Sequence, residues 1–213
     1  VTNPVILVTS SINSEGKSYV ATNLAISLSL LHKKVALVGL DIRKPMLAKY
    51  LNLPTKGCVT SYLSDASYTV DDLIVASEFK GLDILPAGAI PPNPSELLQS
   101  QRLDELFAEL RKRYDYVVID TAPVAMVSDT FLLNRVADLT VYVSRARYTT
   151  TNLIDFIKQV HEQKRLPNIV TVLNGVGTTK KGYGYGYGYG YGYGYGYGHH
   201  IDKKKKWWQL KKA

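Results

Sequence analysis

Val5-Ile6-Leu7-Val8-Thr9-Ser10-Ser11-Ile12-Asn13-Ser14-Glu15-Gly16-Lys17-Ser18-Tyr19-Val20 is the stretch on which the fold turns. Its first four residues are apolar and read as a buried strand. A polar loop follows, and Gly16-Lys17-Ser18 leads into a pattern in which Val20, Leu24, Leu28 and Leu31 recur on one helical face. A strand that passes through such a loop into a helix aims backbone N–H groups and the helix N-terminus at one spot, where a polyphosphate can sit. Ser14, Glu15, Gly16, Lys17, Ser18 and Tyr19 are then the candidate nucleotide contacts, with Lys17 reaching the outer phosphates and Ser18 holding magnesium. The full phosphate-loop pattern has glycine six residues before the lysine, where this chain has Ser11. The competing reading of the same residues is a glycine-containing turn with a surface lysine.

Further along, short apolar runs recur at Val35-Ala36-Leu37-Val38, Leu82-Asp83-Ile84-Leu85, Tyr116-Val117-Val118-Ile119, Thr140-Val141-Tyr142-Val143 and Ile169-Val170-Thr171-Val172. They read as buried strands, and Leu103, Leu106, Phe107 and Leu110 mark a helical face between two of them. Alternation of strand and helix predicts an α/β fold, a doubly wound and mostly parallel sheet flanked by helices. Ligands of such sheets bind beyond the carboxyl ends of the strands, and that is where the phosphate loop, Asp41 and Asp120 emerge. An aspartate after four apolar strand residues positions metal or an attacking group in nucleotide enzymes, or else caps a turn. Magnesium takes oxygen ligands, so Ser18, Asp41 and Asp120 are the metal candidates. Arg43 and Lys44, just past Asp41, face phosphate or substrate, or are surface cations. Asn174 ends the last run, where it contacts a base or simply makes a turn before Gly175. Ala87 to Ser95 holds three prolines and reads as a rigid connection into a helix capped by Asn93 or Ser95.

The chain carries 26 Lys+Arg and 18 Asp+Glu. From Thr178 onward there are eight lysines against Asp202 alone, a charge of +7, which leaves 18 against 17 before it. The basic balance therefore belongs to the tail, and no nucleic-acid groove is expected in the body. The division expected is residues 1–177 as one domain and 178–213 as a flexible tail. In that tail Tyr183, Tyr185, Tyr187, Tyr189, Tyr191, Tyr193, Tyr195 and Tyr197 alternate with glycine. Glycine at every second position disfavours both helix and strand, so the phenols are expected in water, accessible as phosphate acceptors, or the repeat is a low-complexity spacer. Lys203 to Lys206 beside Trp207 and Trp208 suit an anionic lipid surface; the other readings are single-stranded nucleic acid, whose bases the tryptophans would stack, and a solvated tail. Cys58 stands alone and fits a small apolar position in a reducing compartment. His32, His161, His199 and His200 show no metal-ligand or triad spacing and receive no catalytic role. No apolar run is long enough to span a bilayer, and a chain beginning at Val1 reads as a piece of a longer protein.

Together these features make the chain resemble the bacterial tyrosine kinases (BY-kinases) of capsule and exopolysaccharide export. The resemblance rests on Thr9 to Ser18 as the family's first motif, Val35 to Pro45 as its second and Tyr114 to Pro123 as its third. Leu82 to Gly88 leading into Pro91-Pro92-Asn93-Pro94-Ser95-Glu96-Leu97-Leu98, and the tyrosine cluster, are similar to further stretches of the group. The resemblance implies a deviant P-loop fold, ATP and Mg²⁺ as cofactors, and autophosphorylation of the tyrosine cluster, generally on a neighbouring subunit of a ring-shaped homo-oligomer. It implies that Lys17, Asp41 and Asp120 are catalytic, and that Arg43 and Asn174 join the loop residues at the nucleotide. It also implies a place at the cytoplasmic face of the bacterial inner membrane, a membrane polysaccharide copolymerase portion of the same parent chain as partner, and an opposing tyrosine phosphatase. The chain departs from the family at Asn13-Ser14, where Pro-Gly is usual, and at Gly39, where the first of two aspartates stands. Activity is still expected, with Asp41 carrying the remaining role, because a loose phosphoryl-transfer transition state asks mainly for positioning and charge neutralisation. The other readings are an ATPase of the plasmid-partition or septum-site kind, which would place a second lysine at Ile12, and an inactive scaffold.

Overall fold

The structure is a computed structural model that describes residues 2–51 and 57–176, the side chains of residues 49 and 50 excepted. The tyrosine cluster, the Lys/Trp segment and the tail expected over 178–213 lie outside the described residues.

Seven strands among the described residues form one sheet: β1 (Val5–Ser10), β2 (Val35–Leu40), β3 (Val75–Ala76), β4 (Leu82–Leu85), β5 (Tyr116–Thr121), β6 (Leu139–Arg145) and β7 (Ile169–Asn174). Their order is β3-β4-β2-β5-β1-β6-β7. All pairings are parallel except β3 with β4. The α/β, mostly parallel expectation is therefore met, and the six runs picked out by pattern are all strands. The two-residue β3 is too short to leave a pattern.

Six α-helices accompany them among the described residues: α1 (Lys17–Leu30), α2 (Leu47–Leu51), α3 (Val59–Ser64), α4 (Pro94–Gln99), α5 (Gln101–Arg113) and α6 (Thr151–Glu162). On α5 the expected face is the buried one: Leu103, Leu106 and Leu110 are fully covered and Phe107 is 2% exposed. They join Val5, Leu7, Val117 and Ile119 in the core on that side of the sheet. Burial of each such side chain is worth about 1.5–3 kcal/mol, so this helix is a main anchor of the fold.

Three expectations need correction. On α1 the buried residues are Ala21, Ala25, Ile26 and Ser29, and Leu31 is 68% exposed. The small side chains let the helix backbone lie close to the sheet, and the leucines only flank that contact. The helix then ends where His32 turns left-handed at φ 60°. The second correction concerns β7, read as buried. It is the sheet's outer strand, with Val170 46% and Leu173 59% exposed. Asn93 does precede α4, but its side chain donates to Glu96 Oε2 at 2.8 Å and makes no backbone cap.

Candidate active site

Three neighbouring strands bring the chemistry together. β5 lies between β1 and β2, and Asp120 pairs in register with Val8 on one side and Gly39 on the other. Side chains alternate across a strand, so Gly39, Asp120 and the residue two beyond Gly39, Asp41, project to one face. The phosphate loop leaves β1 at the same end and turns into α1.

Gly16 is the N-cap of α1, with φ 98° and ψ 20°. Only glycine takes this conformation at no cost. Space demands it as well, since a Cβ here would meet Asn174 Nδ2 at 2.1 Å. The first-turn amides of α1 are thus capped by no side chain, and no acidic residue occupies that turn. A helix start in this state is an anion site.

Lys17 Nζ donates to Asp41 Oδ2 at 3.0 Å and to Ser18 Oγ at 3.4 Å, and it stands 3.7 Å from Asp120 Oδ1. Both carboxylates are buried. Burial pushes the Asp120 carboxyl above the usual carboxylate range; the Lys17 charge and a hydrogen bond from Ser18 pull against it, and the charge of Asp41 adds to it. Asp120 Oδ1 is buried and accepts no hydrogen bond among the described residues. A buried carboxylate oxygen without a donor is costly unless something cationic completes it. Two carboxylates and a hydroxyl are a hard-oxygen donor set of the kind that binds Mg²⁺ together with phosphates and water, so Ser18, Asp41 and Asp120 fit that ion. Asp41 also does what a turn aspartate does, its Oδ1 accepting from the Lys44 amide at 3.0 Å.

The remaining predicted residues are placed differently. Arg43 is committed to Asp129, Nε to Oδ2 at 2.5 Å and Nη2 to Oδ1 at 3.1 Å, with Ser95 Oγ also donating to Asp129 at 2.8 Å. Asn174 holds the loop itself, Nδ2 donating to the Glu15 carbonyl at 2.9 Å while Oδ1 accepts from the Gly175 amide at 2.8 Å. Ser14 adopts φ 67°, and Glu15 is fully buried with Oε2 accepting from the Ile12 amide at 2.8 Å. Tyr19 is 58% exposed on the first turn of α1.

Sequence reading missed Asp129, which ties the turn after β2 to α4, and the side chains of Tyr142, Arg145, Tyr148 and Thr149 that meet the loop. An aspartate in Ser128-Asp129-Thr130 carries no motif, and the others are recognisable only once β6 is known to lie beside β1. Ser11 is explained by one of them, because its hydroxyl shares a hydrogen bond with the buried Tyr142 hydroxyl. A glycine there would leave that phenol without its partner.

A phosphate loop on an inner strand, an uncapped helix start, and lysine, serine and two aspartates converging there define a P-loop nucleotide-binding protein. An AAA domain family model matches residues 5–170. Tyrosine-protein kinase CpsD of Streptococcus agalactiae is 30% identical over 182 residues, 85% of this chain and 79% of that protein. Tyrosine-protein kinase wzc of Salmonella typhimurium is 33% identical over 181 residues, which are 85% of this chain but only 25% of that protein. The chain thus spans about a quarter of the length of that relative. Among solved structures, the kinase domain of the Escherichia coli tyrosine kinase ETK superposes with a TM-score of 0.77 at 28% identity, covering 87% of this chain and 72% of that one. The septum site-determining protein MinD of Pyrococcus horikoshii, complexed with Mg-ADP, gives 0.65 at 20% identity over 80% of this chain and 70% of its own, a likeness of fold alone. The chain belongs to the bacterial tyrosine-protein kinase family.

Among the described residues no helix is long and apolar enough to cross a membrane.

Proposed function

We propose that the chain is an ATP- and Mg²⁺-dependent kinase that phosphorylates the tyrosines of its own cluster, Tyr183 to Tyr197, on a neighbouring copy. The observation that carries this reading is the convergence of Lys17, Ser18, Asp41 and Asp120 at an uncapped helix start. Family membership supplies the acceptor class, and the sequence supplies eight phenols spaced by glycine. The start of α1 and the loop amides hold the β- and γ-phosphates. Lys17 exchanges its bond with Asp41 for the γ-phosphate, which frees Asp41 Oδ2. Ser18, Asp41 and Asp120 would hold Mg²⁺, which when bound would supply charge neutralisation on the phosphates. The bond from γ-phosphorus to the bridging oxygen breaks with its electron pair leaving on ADP. The bond from γ-phosphorus to the phenolic oxygen forms, and the phenolic proton passes to Asp41 Oδ2, the oxygen that Lys17 released. A phenol with an unperturbed pKa of about 10 need not lose that proton beforehand, because little bond formation precedes cleavage in a loose transition state.

In the wider setting we place the chain in a ring of like subunits at the cytoplasmic face of the bacterial inner membrane, coupled to a polysaccharide copolymerase portion of the same parent chain. There cycles of phosphorylation and removal by an opposing phosphatase regulate polymerisation and export of capsule or exopolysaccharide. The test is incubation with ATP and Mg²⁺ followed by phosphopeptide mass spectrometry, with Lys17→Met as control and with a mixture of Lys17→Met chain and active chain lacking residues 178–213. Phosphate confined to Tyr183–Tyr197, and appearing on the Lys17→Met chain in the mixture, is expected. ATP hydrolysis with a clean tail would support a septum-site-like ATPase, and neither activity would support a scaffold. A Lys17→Met chain left unmodified in the mixture would overturn transfer between copies.

A further inference from the structure

The phosphate loop of this chain has neither proline nor glycine between Ser11 and Glu15. Asn13-Ser14 occupies its middle, and Ser14 at φ 67° and Gly16 at φ 98° are both left-handed. A non-glycine residue stays in that region only where its surroundings over-determine it. The surroundings are a strap that begins with the last residue of β6 and runs just past it, together with the end of β7. Tyr148 donates its hydroxyl to the Asn13 carbonyl at 3.2 Å, Arg145 Nη1 donates to the Ser14 carbonyl at 2.9 Å, and Asn174 Nδ2 donates to the Glu15 carbonyl at 2.9 Å. Three successive carbonyls are therefore turned outward onto three side-chain donors. Across a trans peptide the N–H points opposite to the C=O, so the amides of Ser14, Glu15 and Gly16 are turned the other way, as a phosphate-cradling nest requires. None of these three amides makes a hydrogen bond among the described residues.

A relay anchors the strap from within. The Arg145 amide donates to Thr149 Oγ1 at 2.7 Å, the Thr149 hydroxyl donates to the Glu15 carboxylate, and that carboxylate accepts the Ile12 amide. The guanidinium of Arg145 also lies 5.2 Å over the Tyr148 ring, which fixes both side chains against the loop.

We propose that Arg145, Tyr148 and Thr149 are positioning residues for the nucleotide: from outside the loop they set the direction of its amides, taking over the stiffness that Pro-Gly would give. The inference rests on the nucleotide reading above but not on the identity of the phosphate acceptor. It is tested on the full chain by equilibrium titration with a fluorescent ATP analogue in the presence of Mg²⁺, alongside autophosphorylation at low and saturating ATP. Arg145→Met and Thr149→Val should each raise the dissociation constant about tenfold, a loss of about 1.4 kcal/mol. The rise should appear in KM for ATP, with kcat at saturation within about threefold of the unmodified chain. Thr149→Ser, which keeps the hydroxyl, should bind within about twofold of the unmodified protein. Tyr148→Phe, at an exposed position, should weaken binding about threefold and provides the measurement if Thr149→Val does not fold. Binding unchanged in both Arg145→Met and Tyr148→Phe overturns the inference, as does a Thr149→Ser variant as weak as Thr149→Val. An unmodified chain that takes up no nucleotide overturns the functional reading and this inference with it, an outcome distinct from unaltered binding in the variants.

Discussion

Glycine decides two points of the site for different reasons. At Gly16 both backbone angle and space require it, because the Asn174 amide lies where a Cβ would be. At Gly39 the backbone is ordinary strand, and what a side chain meets there is the wall of the site. A Cβ would lie 3.1 Å from the Ala87 amide nitrogen, 3.4 Å from Leu47 Cδ2 and 3.5 Å from Ala87 Cβ. The missing first aspartate of the second motif is thus accompanied by a segment after β4 that closes over its place. Gly39→Asp tests whether the family's carboxylate can simply be put back. It would crowd a backbone atom and set a third carboxylate on the face of Asp120 and Asp41. Overpacking costs about 1–3 kcal/mol, and an added like charge raises the cost of ionising its neighbours. The expected result is a melting temperature several degrees lower and no faster autophosphorylation. A variant that is equally stable and faster would show that the Ala87 segment yields and that a carboxylate at position 39 serves the reaction.

The elements are tied at the amino end of the sheet by a partly buried carboxylate. Asp138, before β6, accepts from the Val5 amide of β1 at 2.7 Å and pairs with Arg111 of α5 at 2.7 Å. Burial pushes this carboxyl up, but hydrogen bonds from Arg111 and Val5, with the charge of Arg111, outweigh it and hold it below the ordinary carboxylate range. A folded pKa below the unfolded one means stability that is present above the unfolded value, about 3.9, and is lost as pH falls through the folded value. Asp138→Asn should therefore cost about 1.5–3 kcal/mol at pH 7 and flatten part of the acid limb below about pH 4, measured by thermal melts from pH 2.5 to 7.5. An acid limb as steep in the variant as in the unmodified chain would place the acid lability in other carboxylates. This scale also shows why the fold was more legible than the site's supports. Buried runs in β1, β2, β5 and β6 and the Leu103–Leu110 face announce themselves by periodicity, as Lys17, Asp41 and Asp120 do by following strands. The contact face of α1 is alanine and serine, which a search for large apolar residues passes over. Asp138, Asp129, Arg145 and Thr149 act on residues 86 to 134 positions away; no local pattern encodes such partners.

For the whole molecule the decisive asymmetry is charge. Residues up to Gly177 are nearly neutral, and the segment from Thr178 carries +7 with eight tyrosines beside it. If the chain modifies its own cluster, each phosphotyrosine adds about −1.5 to −2. Four or five would cancel the tail's charge and eight would invert it. Lysines near an anionic lipid surface are worth about 1 kcal/mol each, and the adjacent Trp207 and Trp208 suit the headgroup region. Unphosphorylated chain should therefore sediment with vesicles containing an anionic lipid, more weakly as salt rises, and full phosphorylation should weaken that binding by at least tenfold. Lys17→Met chain carried through the same incubation isolates the effect of phosphate from that of nucleotide. Vesicle affinity unchanged after full phosphorylation would exclude the charge switch while leaving the kinase reading intact, because the first depends on net charge and the second only on where phosphate is transferred.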